Sequence, residues 1–353
     1  MNITKKVLSV IMALCLLITP LVLTSSAADR TKKAIPLSSG LDALRRQFES
    51  GVADECEGYA LDYEYYSPAG ENDTEKYPIV IYLHGIGHGT AVGSQLADSS
   101  LVTWASAEMQ SRWTDTGGAY ILFPRCPEDQ MQFWNTAFIN PLRTLIDCFI
   151  EEHRENVDTT RIFIGGSSAG GEMTWDMAIA YPEYFAGIYP LAATGTRTDA
   201  DIQACKDVSI WVFASNQDPI VNYSTNVLPQ WEKICQYNSN PLNCRLSTFG
   251  EVLNPDGTKG DSNHRLYTTI MYDLFTDDGS VYPNVTTKNG YDKIVSIRDG
   301  KGIINWMCNT HSSFEGEQSS NNAFISMFDI IIIPIRNIIL KIANIFQRIL
   351  GFV

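Results

Sequence analysis

Short apolar runs alternate along the middle of the chain with segments whose apolar residues recur at helical spacing. The runs predicted as strands are Tyr59–Tyr66, Pro78–Leu83, Gly118–Phe123, Arg161–Ile164, Phe185–Leu191, Ser209–Phe213 and Cys244–Phe249. The segments predicted as helices are Phe138–His153, Gly171–Ala180 and Val227–Tyr237. The first run alternates apolar and polar residues, which predicts an edge hairpin strand. The other runs are typical of strands buried on both faces, so the pattern predicts an α/β fold with a mostly parallel sheet flanked by helices.

The N-terminus carries a different pattern, with a basic start, an apolar run and a group of small residues. Lys5 and Lys6 precede the apolar segment Val7–Leu23, and Ser25–Ala28 offers small residues to a signal peptidase. This order predicts a secretory signal peptide over residues 1–28 and an extracellular location. A membrane anchor is the alternative, although the apolar run is short for a spanning helix.

The C-terminal end also differs in composition from the middle of the chain. Residues 312–322 are small and polar and are predicted to form a linker, so the main domain covers residues 29–311. Residues 323–353 are rich in isoleucine, and the last part predicts an amphipathic basic helix. Its polar positions are Arg336, Asn337, Lys341, Asn344, Gln347 and Arg348. Such a helix suits an anionic membrane surface, a partner protein or its own main domain.

Composition and charge narrow the class of protein. The 353 residues are 44% hydrophobic and 19% charged, which is typical of a globular protein with a buried core. The formal net charge is −14, and an acidic surface repels phosphate backbones. We therefore expect no nucleic-acid partner.

The cysteines leave their pairing open. Seven remain once Cys15 is removed with the signal peptide, so at least one is not paired within the chain. Cys235 and Cys244 flank a short loop and are candidates for a local disulfide; buried free thiols are the alternative. The sequence has no CxxC pair and no Cys/His cluster that would predict a zinc site.

The segment Gly166–Gly170 carries the strongest chemical signal. It fits G-x-S-x-G, with Ser168 in the middle, after a predicted strand and before a predicted helix. This is the context of a nucleophile elbow, where glycines let the strand and the helix approach and the turn exposes the serine hydroxyl. Ser167 is an alternative nucleophile, but its frame ends on Ala169 instead of glycine. A structural Gly/Ser turn is the other interpretation.

An acid and a base should follow the nucleophile along the chain, in that order. The predicted acid is Asp218, the last residue of the segment SIWVFASNQD, which begins with the strand SIWVF. Of the five histidines, only His264 and His311 follow Asp218. His264 lies on a polar loop from which it could reach the serine, so we predict it as the base. The alternative for Asp218 is a turn residue before proline.

A glycine-rich loop after the strand PIVIYL predicts the oxyanion hole. It begins His84-Gly85-Ile86, and the backbone N–H of Gly85 or Ile86 is one predicted donor. The N–H of Ala169 is the other. A metal site at His84 and His88 is the alternative, and it is disfavoured because no carboxylate lies nearby in the sequence. We expect no metal and no cofactor.

These motifs together resemble the secreted esterases of the polyhydroxybutyrate-depolymerase and feruloyl-esterase type, which have the α/β-hydrolase fold. The closest stretch is Val157–Ala193, and the resemblance covers about residues 57–310. The matching positions are Asp158, Arg161, Gly170, Gly171, Tyr181–Ala186, the YLHGIG and FPRCP stretches and WVFASNQDPIV. Two features differ: Asn263, instead of the usual glycine, precedes His264, and an insertion TDDGSVYPNVTTKNG follows it. We expect this insertion to border the active-site mouth.

The resemblance implies hydrolysis of carboxylic esters without a cofactor, through an acyl-enzyme. Feruloyl or acetyl esters of plant polysaccharide, or polyesters, are the implied substrates. Trp134 is the predicted substrate-stacking residue, with a buried structural tryptophan as the alternative. A serine peptidase of the prolyl-oligopeptidase type and a non-catalytic binding protein on the same fold are the competing functions.

Overall fold

A computed structural model describes residues 39–56, 58–68, 75–87, 96, 101–127, 133–253, 258–267, 285–295 and 302–312. The described strands form one sheet of nine. They are β1 (Glu49–Cys56), β2 (Tyr59–Tyr66), β3 (Tyr77–Leu83), β4 (Tyr120–Pro124), β5 (Val157–Ser167), β6 (Gly187–Leu191), β7 (Ser209–Ser215), β8 (Arg245–Phe249) and β9 (Val285–Asn289).

The described residues also form seven α-helices, the last of which follows the final strand. They are α1 (Ser39–Arg45), α2 (Ala107–Gln110), α3 (Ile139–Glu152), α4 (Ala169–Ala180), α5 (Asp199–Ala204), α6 (Leu228–Tyr237) and α7 (Ile303–Cys308). Short 3₁₀ turns cover Leu101–Ala105 and Thr136–Phe138, and a π turn covers Tyr223–Val227 just before α6. None of the helices in the described part of the chain is both long enough and apolar enough to cross a membrane.

The strands lie in the order β1-β2-β4-β3-β5-β6-β7-β8-β9. Neighbours from β4 through β8 run parallel. At one side β2 pairs antiparallel with both β1 and β4, and at the other β9 pairs antiparallel with β8. Because parallel strands point the same way, their carboxyl ends meet at one edge of the sheet. The loops that leave this edge build the site described below.

The central strands are buried on both faces, as their continuous apolar sequences predict. Every residue of β3 is buried. Ile79 and Ile81 enter the core on one face with Leu145 of α3. Val80 enters the core on the opposite face with Trp306 of α7. The mostly parallel sheet flanked by helices is therefore confirmed.

Two strands at the edges were not predicted, and one prediction about an edge is wrong. β1 is the edge strand, so Tyr59–Tyr66 lies one position inside the sheet. At the other edge, residues 285–289 of the insertion form β9, which makes Cys244–Phe249 the penultimate strand. The part of the insertion at 276–284 lies outside the described residues. Its expected position at the active-site mouth therefore stays a prediction.

Several other predictions fall on residues that the structure does not describe. The signal peptide at 1–28, the linker from 313 onward, the helix at 323–353 and His88 all lie outside the described residues. Cys235 and Cys244 are described, and both are free thiols. The disulfide suggested by their spacing is therefore not formed.

Candidate active site

Ser168 occupies a sharp turn between β5 and α4. Its backbone angles are φ 55° and ψ −114°, a region that residues other than glycine rarely adopt. The strained conformation is held in place because the Ser168 N–H donates to the carbonyl of Leu191, with an N···O distance of 2.9 Å. A strand, this turn and a helix that starts at the next residue are the geometry of a nucleophile elbow.

The glycines of the motif allow β3 and α4 to pack backbone against backbone. A Cβ atom on Gly166 would lie 2.5 Å from the carbonyl oxygen of Leu83, and a Cβ atom on Gly170 would overlap the same carbonyl group. Neither neighbour is a flexible side chain that could move aside. The close approach therefore requires glycine at both positions, as the motif predicts.

Asp218 and His264 form a hydrogen-bonded pair. The Nδ1 atom of His264 lies 2.8 Å from Oδ2 of Asp218. The other oxygen, Oδ1, accepts from the backbone N–H groups of Ile220 and Val221 at 2.8 and 3.0 Å. The aspartate is thus fixed on three sides. The carboxylate accepts a hydrogen bond from the Nδ1–H group of His264, which leaves Nε2 of His264 as an acceptor.

The loop that carries His264 is fastened by the residues just before it. The Oδ1 atom of Asn263 accepts from the N–H of Val252 at 2.9 Å, and its Nδ2 atom donates to the carbonyl of Gln217 at 3.4 Å. The hydroxyl of Ser262 accepts from the N–H of His264 at 3.2 Å. Asn263, the residue that departs from the family pattern, therefore ties the histidine loop to the segments that follow β7 and β8.

The loop after β3 is locked by the buried ring of His84. Its Nδ1 atom lies 2.8 Å from the carbonyl oxygen of Gly85, and its Nε2 atom accepts from the N–H of Cys126 at 3.0 Å. A trans peptide directs its C=O and N–H in opposite directions. The N–H of Ile86 therefore faces away from the His84 ring. A Cβ atom on Gly85 would lie 3.6 Å from Cβ of Ser168, so the loop is next to the elbow.

These elements enclose one pocket of about 320 Å³ at the carboxyl edge of the sheet. The described residues that line it are Tyr82, His84, Gly85, Ile86, Phe133, Ser167, Ser168, Ala169, Thr194, Ile220, His264, Arg265 and Tyr267. The structure thus brings together the predicted nucleophile, the predicted base and all three predicted oxyanion residues. Asp218 lies behind His264, where it can act through the imidazole.

Trp134 does not have the predicted substrate contact. Its ring is buried and packs on Phe138, and its Nε1 atom donates to the carbonyl of His84 at 3.1 Å. The tryptophan therefore supports the loop after β3 from below. Its neighbour Phe133, which is 40% exposed, lines the pocket instead.

Several pocket residues were not predicted from the sequence. Thr194 follows β6, Ile220 follows β7, and Arg265 and Tyr267 follow the predicted base. The signal that could have found the first two is their position after the carboxyl ends of parallel strands, where ligands bind in open α/β sheets. The side of the loop on which Arg265 and Tyr267 lie depends on how the loop folds.

A partly buried cluster of charged side chains supports the segment after β6 that carries Thr194. Arg197 pairs with Glu172 at 3.0 Å and with Asp176 at 3.4 Å, both on α4. Glu172 also accepts from the N–H of Gly195 at 2.5 Å. Burial raises the pKa of Asp176 above its usual range, although the attraction of Arg197 partly opposes this shift.

Within the described ranges, no group of three or more His, Cys, Asp or Glu side chains is arranged to hold a metal ion.

Comparison with known proteins finds a similar sequence and a similar solved structure. A poly(3-hydroxybutyrate) depolymerase of Ralstonia pickettii is 28% identical over 155 residues, an alignment that covers 40% of this chain and 30% of the depolymerase. The crystal structure of a thermostable esterase matches with a TM-score of 0.55 and 26% identity, over 65% of this chain and 61% of the esterase. The matches thus span less than two thirds of either protein. They confirm the α/β-hydrolase fold and the resemblance to esterases of this type.

A third likeness is weaker. The feruloyl esterase module of Clostridium thermocellum, complexed with sinapinate, matches with a TM-score of 0.42 and 14% identity, over 54% of this chain and 73% of the module. No family model matches the chain.

Proposed function

We propose that this protein is a serine hydrolase that cleaves carboxylic esters, with Ser168 as nucleophile, His264 as base and Asp218 as the acid that orients it. One observation carries the proposal. Ser168, on its strained turn, opens into the same pocket as His264, whose Nδ1 atom is bonded at 2.8 Å to Asp218. A serine, a histidine and a buried carboxylate in this order and arrangement supply the groups that acyl transfer needs.

The reaction proceeds in two halves. Nε2 of His264 accepts the hydroxyl proton of Ser168 as its oxygen attacks the ester carbonyl, and the imidazolium then protonates the leaving alcohol. The acyl group stays on Ser168. A water molecule, deprotonated by His264, attacks the acyl carbonyl. The bond between the acyl group and the Ser168 oxygen breaks, the imidazolium returns its proton to that oxygen, and the acid is released. Throughout both halves, Asp218 remains ionised and stabilises the imidazolium.

Backbone N–H groups stabilise the oxyanion. Ala169 supplies one N–H from the first residue of α4, where the helix dipole also favours negative charge. The loop after β3 supplies the other. The hydrogen bond from His84 to the carbonyl of Gly85 supports Ile86 as this donor, since it turns the Ile86 N–H away from His84. Each donor contributes about 3 kcal/mol to transition-state stabilisation.

The mouth of the pocket favours an ester with an apolar part. Ile86, Phe133 and Ile220 lie on three different loops and are 58%, 40% and 65% exposed. Binding is favoured when a ligand covers apolar side chains that are otherwise exposed to water at a pocket mouth. This supports an aromatic acyl group or a polyester chain, and the similarity to a poly(3-hydroxybutyrate) depolymerase agrees with the second. The proposed natural substrates are feruloyl or acetyl esters of plant polysaccharide, or polyesters.

The signal-peptide pattern in residues 1–28 supports secretion of the protein. A secreted protein would meet polymeric esters outside the cell.

Hydrolysis of p-nitrophenyl acetate and of methyl ferulate by the full chain tests the proposal. Ser168→Ala and His264→Ala should abolish turnover of both esters, whereas Ser167→Ala, a change to the adjacent serine, should retain it. A fluorophosphonate should label the protein on Ser168, as located by peptide mass spectrometry. Turnover that survives Ser168→Ala, or a label on another serine, would show that the nucleophile is wrong. A folded chain that hydrolyses no ester would refute the hydrolase.

A further inference from the structure

The pocket carries a positive charge inside an acidic protein. Among its described lining residues, Arg265 is the single one with a permanent charge, and no aspartate or glutamate is among them. The chain as a whole has a formal net charge of −14. The positive charge of Arg265 in the pocket is therefore opposite in sign to the net charge of the protein.

Arg265 has an anchored backbone and a largely uncommitted side chain. Its N–H donates to the carbonyl of Ser262 at 3.1 Å, and the next residue, Leu266, is fully buried. Among the described residues the guanidinium has one ion pair, with Asp261 at 3.4 Å, and the two side chains are 55% and 85% exposed. A guanidinium has five N–H donors in a planar fork that matches a carboxylate. An exposed pair at this distance leaves most of them available.

The position of Arg265 indicates which part of a substrate it would meet. It directly follows His264, which protonates the leaving alcohol in the proposed reaction. The leaving alcohol is therefore next to Nε2 of His264, and Arg265, the adjacent residue, lines the same pocket.

We propose that Arg265 binds a carboxylate on the alcohol part of the ester, so that the site selects esters whose leaving alcohol carries a free carboxylate. The guanidinium donates two parallel hydrogen bonds to the two carboxylate oxygens. The inference rests on the proposed ester hydrolase, because it assigns the alcohol subsite of that reaction.

Two acetate esters of matched shape test the selectivity. In 4-acetoxybenzoate the leaving phenol carries a carboxylate, and in 4-acetoxybenzamide it carries a neutral amide of the same size. The full chain should show a higher kcat/KM for the benzoate, and Arg265→Gln should lower the benzoate-to-benzamide ratio by about tenfold. Arg265→Lys should retain part of the preference, since it keeps the charge and loses the fork. High salt should reduce the ratio in the unmodified chain.

Lys259→Gln is the matched control. Lys259 lies on the same loop, does not line the pocket and loses the same charge when substituted. It should leave the ratio unchanged, and a ratio that falls equally in this variant would attribute the preference to the overall field and overturn the role of Arg265. The ratio is independent of any loss of activity that both esters share.

Binding supplies a second measurement that needs no turnover. Ser168→Ala should bind 4-acetoxybenzoate more tightly than 4-acetoxybenzamide in titration calorimetry, and Arg265→Gln added to it should remove the difference. Equal binding of the two esters, or an unchanged kcat/KM ratio in Arg265→Gln, would overturn the carboxylate subsite. Turnover of 4-acetoxybenzamide that depends on Ser168 would then still support the hydrolase.

Discussion

The carboxylate of Asp218 accepts three hydrogen bonds, and only one of them comes from His264. In Asp218→Asn the side-chain oxygen can keep the bonds from Ile220 and Val221. The amide nitrogen then faces Nδ1 of His264 and favours the wrong tautomer. We expect kcat for p-nitrophenyl acetate to fall by about 10⁴-fold while the fold is retained. Steady-state kinetics together with the far-UV circular dichroism spectrum will measure both effects.

Asp207→Asn is the control for this change, because Asp207 is exposed on the turn after α5 and lies away from the pocket. It should leave kcat unchanged. If Asp218→Asn kept more than about a tenth of the activity, the acid of the triad would have to be another residue.

At this scale the sequence indicated candidate residues by their order along the chain. Ser168 was predicted from a motif, Asp218 from a strand end and His264 from a loop, and the structure places Ser168 and His264 in one pocket with Asp218 bonded to the histidine. Trp134 was assigned wrongly because a tryptophan in a loop is equally compatible with a buried and a ligand-facing position. The bonds of Asn263 to Val252 and Gln217 join segments distant in the chain, and no local pattern encodes them.

The contact between β3 and α4 leaves no room for a side chain at Gly170. A methyl group there overlaps the backbone of Leu83, and backbone cannot rotate away as a side chain can. We expect Gly170→Ala to lower the free energy of unfolding by about 3 kcal/mol and to abolish esterase activity, since it displaces the elbow. Urea denaturation gives the first quantity and the p-nitrophenyl acetate assay the second.

Gly40 is the matched glycine, because it lies in α1 with open space around its Cα. Gly40→Ala should stabilise the protein by up to about 1 kcal/mol, since alanine loses less backbone entropy in a helix. Equal effects of the two substitutions would contradict the close backbone contact at Gly170.

The cluster between α4 and Arg197 predicts a pH dependence with a definite sign. Burial raises the pKa of Asp176 above its ordinary value of 3.8, so the folded protein binds this proton more tightly than the unfolded chain does. Stability from this group is therefore lost as the pH rises from 3.8 through the raised pKa. Asp176→Asn removes the titration, so its stability relative to the unmodified protein should increase across that range. Urea unfolding of both proteins at several pH values measures the difference.

Asp201 provides a control of opposite sign. The N–H of Thr198 lowers the pKa of Asp201, so its contribution to stability is present above pH 3.8 and is lost as the pH falls toward the lowered value. Asp201→Asn should therefore be most destabilising at neutral pH. If Asp176→Asn behaved in the same way, the attraction of Arg197 would outweigh the burial of Asp176.

The strands that could be predicted from the sequence are those that are buried and therefore have continuous apolar sequences. β3, β4, β6 and most of β7 are continuous apolar runs because helices cover both faces of the sheet. β1 (ESGVADEC) and β9 (VTTKN) are polar and lie at the two edges. They are strands because a neighbour supplies backbone hydrogen bonds, which leave no hydrophobic pattern.

At the scale of the whole molecule, charge is distributed unevenly along the chain. The net charge is −14, yet from Ile330 onward the charged residues are Arg336, Lys341 and Arg348. We propose that these cations hold residues 323–353 on an anionic membrane surface, while the rest of the protein is repelled from it. Each cation near such a surface contributes about 1 kcal/mol, and the isoleucines on the opposite face of the helix that the sequence predicts add apolar burial.

Sedimentation with lipid vesicles tests this proposal. The full chain should bind vesicles containing phosphatidylserine and bind vesicles of pure phosphatidylcholine more weakly, and high salt should weaken the first binding. A chain that ends at Ser312 should lose vesicle binding and keep its esterase activity, because the sheet and the pocket lie within residues 39–312. Substitution of Arg336, Lys341 and Arg348 by glutamine keeps the apolar face and should remove the preference for anionic lipid. If truncation instead lowered the melting temperature without changing vesicle binding, the tail would dock on its own hydrolase domain.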